Sequence, residues 1–69
     1  MKLADFLSVI DPETYVNIID RTFGIDYGVK LIDELYEDTF FRRTLPYNTV
    51  HNVIAVENGT KTYICIAVN

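Results

Sequence analysis

Along residues 2–10 the apolar side chains Leu3, Phe6, Leu7 and Ile10 recur at three- and four-residue spacing, which places them on one face of a helix. The spacing predicts a short helix closed by Asp11-Pro12, since proline disfavours the α conformation at the residue before it. From Tyr15 to Asp20 the period changes. The run is β-branched and alternates about Asn17, which predicts a strand with Val16 and Ile18 facing inward. Arg21-Thr22-Phe23-Gly24 turns, and Ile25-Asp26-Tyr27 reads either as a brief returning strand, the preferred reading, or as the approach to the next helix. Between Gly28 and Asp38, Leu31, Ile32, Leu35 and Tyr36 form a helical stripe opposed by Lys30, Asp33, Glu34, Glu37 and Asp38, the pattern of a principal amphipathic helix. Its last turn is acidic, against the helix macrodipole, with Arg42-Arg43 just beyond as partial compensation. Phe40 to Pro46 then connects into the last third of the chain.

That last third, Thr49 to Val68, is two β-rich runs joined by Asn58-Gly59, a dipeptide suited to a type I′ hairpin turn because both residues tolerate positive φ. Such a turn opposes Glu57 to Thr60, Val56 to Lys61, Ile54 to Tyr63, Asn52 to Cys65 and His51 to Ile66. Strand alternation then sorts Val50, Ile54, Val56, Tyr63, Cys65 and Ala67 onto one face, and Val53, Ala55, Ile64, Ile66 and Val68 onto the other. Neither face is cleanly polar, so the second face is expected to be covered as well, by helices or by another copy of the chain.

Helix, strand, short strand, helix, strand, strand is an α+β order. It predicts one domain, residues 1–69, with a small three- or four-stranded, mostly antiparallel sheet, a C-terminal β-hairpin and two helices packed on one face. Sixty-nine residues lie near the lower limit for folding without disulfides or metal, because a chain this short buries only about 60% of its extended surface. Self-association through the sheet face or an edge strand is therefore expected, giving a homodimer. A hydrophobic fraction of 49% is ample for a core and excludes a disordered chain.

Charge adds a direction to this picture. The net charge is −4, but nine of the ten acids precede Thr39, whereas three of the six bases follow it. An acidic balance argues against binding a phosphate backbone directly, and favours a protein partner with a basic surface. The single cysteine, Cys65, lies between Ile64 and Ile66 and reads as a small buried hydrophobe suited to a reducing cytoplasm. The opening residues do not resemble a signal peptide, and no apolar run approaches the ~18 residues of a membrane span, so a cytoplasmic location is expected. Asn58-Gly59-Thr60 fits a glycosylation sequon, but the turn already explains it.

No motif for catalysis, nucleotide or metal is present, and no cofactor is expected. His51 and Cys65 are the only residues with nucleophile and base chemistry, and the expected register places them on opposite faces of the sheet. Asp33 with Glu37, and Glu34 with Asp38, sit one helical turn apart and could hold a hard cation weakly, yet a solvated helix face explains the same residues. Without burial, no carboxylate pKa is pushed toward neutrality for acid–base work. An enzyme is not the leading reading.

Met1-Lys2-Leu3, Asp5, Leu7, Val9-Ile10-Asp11 and Tyr15-Val16-Asn17-Ile18, followed by the closing apolar hairpin, resemble small proteins encoded by phages and mobile elements of Gram-positive bacteria. That resemblance implies a host-cell cytoplasmic setting and brings no functional residues with it. In size and acidity the chain also resembles anti-CRISPR inhibitors, in which carboxylates spaced like phosphates occupy a basic nucleic-acid channel. The expected function is accordingly non-enzymatic protein binding. An inhibitor would use Asp33, Glu34, Glu37 and Asp38 against a basic host surface, with Phe41, Arg42 and Arg43 as a second contact, since aromatics beside arginines are enriched at hot spots. Of the two adjacent phenylalanines, one is expected in the core and one exposed. The alternative is a structural or assembly subunit that self-associates through its sheet.

Overall fold

A computed structural model describes residues 1–69. The elements are α1 (Leu3–Ser8), β1 (Tyr15–Asp20), β2 (Ile25–Leu31), α2 (Ile32–Tyr36), α3 (Thr39–Thr44), a 3₁₀ turn (Leu45–Tyr47), β3 (Val50–Asn58) and β4 (Lys61–Val68). The strands form one sheet in the order β2-β1-β4-β3. Two antiparallel hairpins, β1–β2 and β3–β4, meet along a central parallel pair, β1 with β4. The fold is the expected small α+β arrangement with a C-terminal hairpin, and its sheet is mixed.

Parallel pairing sets Val16 beside Ile64, Ile18 beside Ile66 and Asp20 beside Val68. These side chains share the face on which all the helices lie. Val16, Ile18, Ile66 and Val68 join Leu3, Leu7, Ile32, Leu35, Phe41, Leu45 and Tyr27 in a single buried cluster. The strands with the deepest burial are thus the two central ones, while β3 at the edge buries none of its residues fully.

The segment read as one principal helix from Gly28 to Asp38 is helical only over α2: Gly28 to Leu31 complete β2, and Glu37-Asp38 lead into the next helix. Phe40 to Pro46, expected as a plain connection into the hairpin, instead lies in α3 and the 3₁₀ turn. Gly28 takes φ of +76°, and Tyr27 with Gly28 together oppose Ile18, so the strand bulges there as glycine permits. Asp26 fixes the bulge: its carboxylate accepts hydrogen bonds from the Gly28 N–H at 2.8 Å and from the Asn17 side-chain amide at 2.7 Å. Those two bonds, the Asn17 one foremost, hold the Asp26 pKa below its ordinary 3.8. Further along, α2 ends at Tyr36 and Asp38 caps α3, its carboxylate accepting from the Phe41 N–H at 2.9 Å. Of the acids expected at a helix C-terminus, Glu37 does stand there as the C-cap of α2, whereas Asp38 opens α3; Arg42 and Arg43 lie in the last turn of α3, where positive charge favours its dipole.

The hairpin register also differs from the Asn-Gly expectation. Asn58 pairs with Lys61, Val56 with Tyr63, Ile54 with Cys65 and Val53 with Ile66, so the two loop residues are Gly59 and Thr60. Only glycines have positive φ in this chain, Gly59 at +60°, which suits a type II′ turn with glycine first and rules out the second positive-φ residue of type I′. The slip is two positions in pairing, an even number, so each side chain keeps its expected face. The exception is Val50: an irregularity between Val50 and Asn52 pairs it with Val68 and moves it to the core side.

The sheet's second face is not covered by the chain. Ile19, Val29, Tyr63, Cys65 and Ala67 are half-buried by one another, and Ile54 stays 53% exposed. Nor do the short helices cover the outer strand β3, where Val53 is 41% exposed although it lies on the helix side. At ~3.3 Å per residue the nine residues of β3 are ~30 Å long, close to the full 32 Å long axis of a molecule only 20 by 19 Å across.

Two stability measurements follow from this packing. Phe41 is fully buried, with edge-on contacts to Tyr27 and Tyr36 at 5.4 Å each, whereas Phe40 is 43% exposed. Phe41→Ala should cost about 3–5 kcal/mol, enough to unfold a domain this size, and Phe40→Ala under about 1 kcal/mol, as read by urea denaturation. For Asp26, whose folded pKa lies below the unfolded one, the stabilisation is present above the unfolded pKa and is lost as pH falls through the folded value. Asp26→Ala should therefore lower the melting temperature at pH 6 by several degrees, and the gap from the unsubstituted protein should shrink well below pH 3.8.

Candidate protein-interaction surface

The expected acidic site does not survive as a single group of four free carboxylates. Asp33 and Glu37 are exposed and one helical turn apart at the start and end of α2. Glu34 is occupied locally, since its carboxylate accepts a hydrogen bond from the Leu31 N–H at 3.1 Å and caps α2. Asp38 is occupied in the same way at α3. Asp38 ahead of Thr39-Phe40-Phe41 is a cap signal readable in the sequence, obscured because the apolar stripe makes Asp38 the end of the preceding helix, whereas the Glu34 cap follows a leucine and carries no such signal.

Phe41 is corrected as a contact residue: it is a core side chain, and Phe40 is the exposed member of the pair. Phe40 meets the ring of Phe23, from the β1–β2 turn, edge-on at 5.9 Å. Arg42 and Arg43 are exposed on the last turn of α3. Beneath this region lies the most buried acid, Asp20, 1% exposed, whose carboxylate accepts from the Thr22 N–H at 2.9 Å and the Phe23 N–H at 3.4 Å and so holds the turn. Tyr27 stands nearby with its hydroxyl buried and without a protein hydrogen-bond partner. Burial first, then the charges of Asp38 and Asp20, push its phenol pKa above 10.0. No surface cleft accompanies these groups.

Cys65 is half-buried on the open sheet face opposite Ile54, not opposite Asn52 and not in the core. His51 is exposed beside the irregularity in β3, its ring Nδ1 3.4 Å from the Asn69 side-chain amide.

The feature that sequence reasoning left undeveloped is the outer edge of β3. In a two-residue hairpin the pair flanking the loop is hydrogen-bonded, and bonded pairs alternate along an antiparallel ladder. With Asn58 opposite Lys61, the backbones of Asn58, Val56 and Ile54 face β4. Those of Glu57, Ala55 and Val53 face outward. The Val53 N–H confirms the direction, for it is taken by its neighbour's side chain, Asn52 Oδ1, at 3.0 Å. At the start of β3 the edge is covered by the N-terminal residues: Leu3 N–H donates to the Asn48 carbonyl at 2.9 Å, and Val50 N–H to the Met1 carbonyl at 2.8 Å, around a bridge between Lys2 and Thr49. From His51 to Glu57 it is uncovered. The opposite edge, β2, is interrupted by the Gly28 bulge and carries Asp26 and Lys30, the devices by which sheets discourage edge pairing. Between Asn52 and Glu57, β3 carries only Val53-Ile54-Ala55-Val56, with neither charge nor proline.

Comparison with protein-family models, curated proteins and solved structures gives no match. No helix is long and apolar enough to cross a membrane.

The two kinds of acid on α2 and α3 separate in a stability series. Asp38→Ala should cost about 1 kcal/mol, a fall of roughly 4–8 °C in melting temperature, through loss of the cap. Asp33→Ala should stay within about 0.5 kcal/mol, since its carboxylate holds no backbone group. Paired thermal melts read the difference.

Proposed function

We propose that this chain is a non-enzymatic protein-binding module that captures a partner by strand addition along β3. The observation that carries the reading is the uncovered edge from His51 to Glu57, with outward backbone groups at Val53, Ala55 and Glu57 and exposed apolar side chains on both sides of the strand. Main-chain hydrogen bonds would supply affinity in such a contact, and alternate side chains the specificity. The structural or assembly role expected from an over-apolar sheet is one form of this activity.

A second reading keeps the acidic inhibitor. Asp33 and Glu37, exposed and free of capping duties, remain about 6 Å apart, near the spacing of neighbouring phosphates, and would engage a basic nucleic-acid-binding surface of a host protein. The resemblance to phage and mobile-element proteins supports that setting, and rests on the residues of the sequence alone. Glu34 and Asp38 contribute less than expected, because their carboxylates are already engaged.

Selection from a display library of extended eight-residue peptides separates the two. Strand addition predicts enrichment of peptides with alternating apolar residues. Ala55→Pro, which removes an outward N–H without touching the β4 ladder, should abolish that enrichment, whereas Asp33→Lys/Glu37→Lys should leave it intact. Enrichment of basic, non-alternating peptides that is lost in the lysine double variant would transfer the assignment to the acidic reading.

A further inference from the structure

The face of the sheet turned away from the helices is a broad apolar surface that the chain leaves open. Ile19, Val29, Ile54, Tyr63, Cys65 and Ala67 cross it from β2 to β3, and none of them is fully buried. The buried cluster lies wholly on the other side, so the sheet has a core on one face only. Two charged side chains of the strands share the open face. Asp26 stands on β2 beside Ile19, and Lys61 stands on β4 two residues before Tyr63. Asp20, Lys30 and Glu57 alternate to the helix side. Asp26 and Lys61 therefore occupy diagonally opposite corners, two strands apart in the sheet order and, six rows of residues apart, about 20 Å along the strands. A two-fold axis lying between two such faces, at right angles to that diagonal, exchanges the corners. Asp26 of each copy then lies over Lys61 of the other. At ~4.8 Å between strands and ~3.3 Å per residue, this axis runs through the middle of the apolar face and passes within about 1 Å of Cys65 in projection. An axis along the strands fails the same test, since it sets Asp26 over Asn52 and leaves Lys61 beyond the start of β1. One carboxylate oxygen of Asp26 is free for the contact, because the hydrogen bonds from Asn17 and Gly28 both go to Oδ1.

We infer that the open face is covered by a second copy of this chain, packed face to face about this axis, with Asp26 of each copy paired to Lys61 of the other and Cys65 at the centre. The charge map selects a second copy: the face has one positive and one negative corner, and a single two-fold axis satisfies both while keeping apolar surface on apolar surface. The contact is isologous and closes at two. Three rows of side chains on four strands span about 400 Å² in projection, and a corrugated surface exceeds its projection, so two copies bury on the order of 1,000 Å², the lower limit of a specific interface. The inference is independent of the edge reading. The outward groups of β3 lie in the plane of their own sheet, so each copy keeps its free edge and the dimer presents two of them.

An interface of this size predicts dissociation in the range of about 10 μM, which sedimentation equilibrium from about 1 μM to 1 mM reads, with circular dichroism confirming that each variant is folded. Ile54→Lys, at an exposed position of the face, should leave a monomer, whereas Ala55→Pro, which disturbs the edge, should leave the dimer intact. Lys61→Glu should weaken the dimer about tenfold by setting like charges over one another at both corners. Adding Asp26→Asn, which keeps an oxygen for the Gly28 N–H but removes the charge, should recover most of that loss. A short bis-maleimide should join two copies through Cys65, because sheets ~10 Å apart hold the thiols beyond disulfide reach but within that linker. A monomer at every concentration would overturn the inference and leave the edge reading to the peptide selection. A dimer lost in Ala55→Pro but kept in Ile54→Lys would also overturn it, by moving the contact to the edge. A dimer lost in Ile54→Lys but unmoved by Lys61→Glu and not joined through Cys65 would overturn the placement about this axis.

Discussion

The structure depends on the pairing of β1 with β4, two strands that lie nearly fifty residues apart in the chain and run parallel in space. Parallel neighbours cannot be joined by a tight turn, so the intervening chain must cross over the sheet. It does so as β2, α2, α3, the 3₁₀ turn and β3, and the helical part of that crossover covers Val16, Ile18, Ile66 and Val68. Its helices are short, five or six residues each. They suffice to bury one face of the central pair and leave the second face and the outer strand β3 bare.

The acidity of the chain has a structural component that composition conceals. Asp11, Asp20, Asp26, Glu34 and Asp38, half of the ten acids, each accept a hydrogen bond from a nearby backbone N–H. Each stands at a turn, a bulge or the start of a helix, where backbone donors have no ladder partner. In a domain with many short elements such ends are frequent, and a carboxylate two or three residues away is the local means of satisfying them. The other five, Asp5, Glu13, Asp33, Glu37 and Glu57, are exposed and hold no backbone N–H with their carboxylates.

Edge chemistry divides the two ends of the sheet in the same way. β2 carries a bulge, an aspartate and a lysine, whereas β3 is regular and apolar from Val53 to Val56, and its one protection is the side chain of Asn52 folded back onto the Val53 N–H. An unprotected edge on a small soluble domain is a hazard unless something pairs with it. The Met1–Leu3 segment already shows how such pairing works, covering Asn48 to Val50 and stopping where the free stretch begins.

Local pattern alone determined much of this protein. The α1 stripe at Leu3 and Leu7, the inward Val16 and Ile18 of β1, the C-terminal hairpin and the sorting of its faces from Asn52 onward were legible, because each rests on a short-range period that the final structure keeps; the turn register and the face of Val50 were not. The candidate site was legible in part: Asp33, Glu37, Arg42 and Arg43 are exposed, but which phenylalanine is buried could not be read from two adjacent aromatics. Tertiary structure alone decided the rest. Gly28 bulges a strand instead of opening a helix because β2 has a partner in β1. The stripe from Leu31 to Tyr36 stops because Phe41 must turn inward between Tyr27 and Tyr36, with Asp38 capping the new direction. Whether β4 lay beside β1 or outside β3 depended on burying the central apolar pairs, a contact between distant residues that no local period encodes, and that choice is what left the β3 edge open.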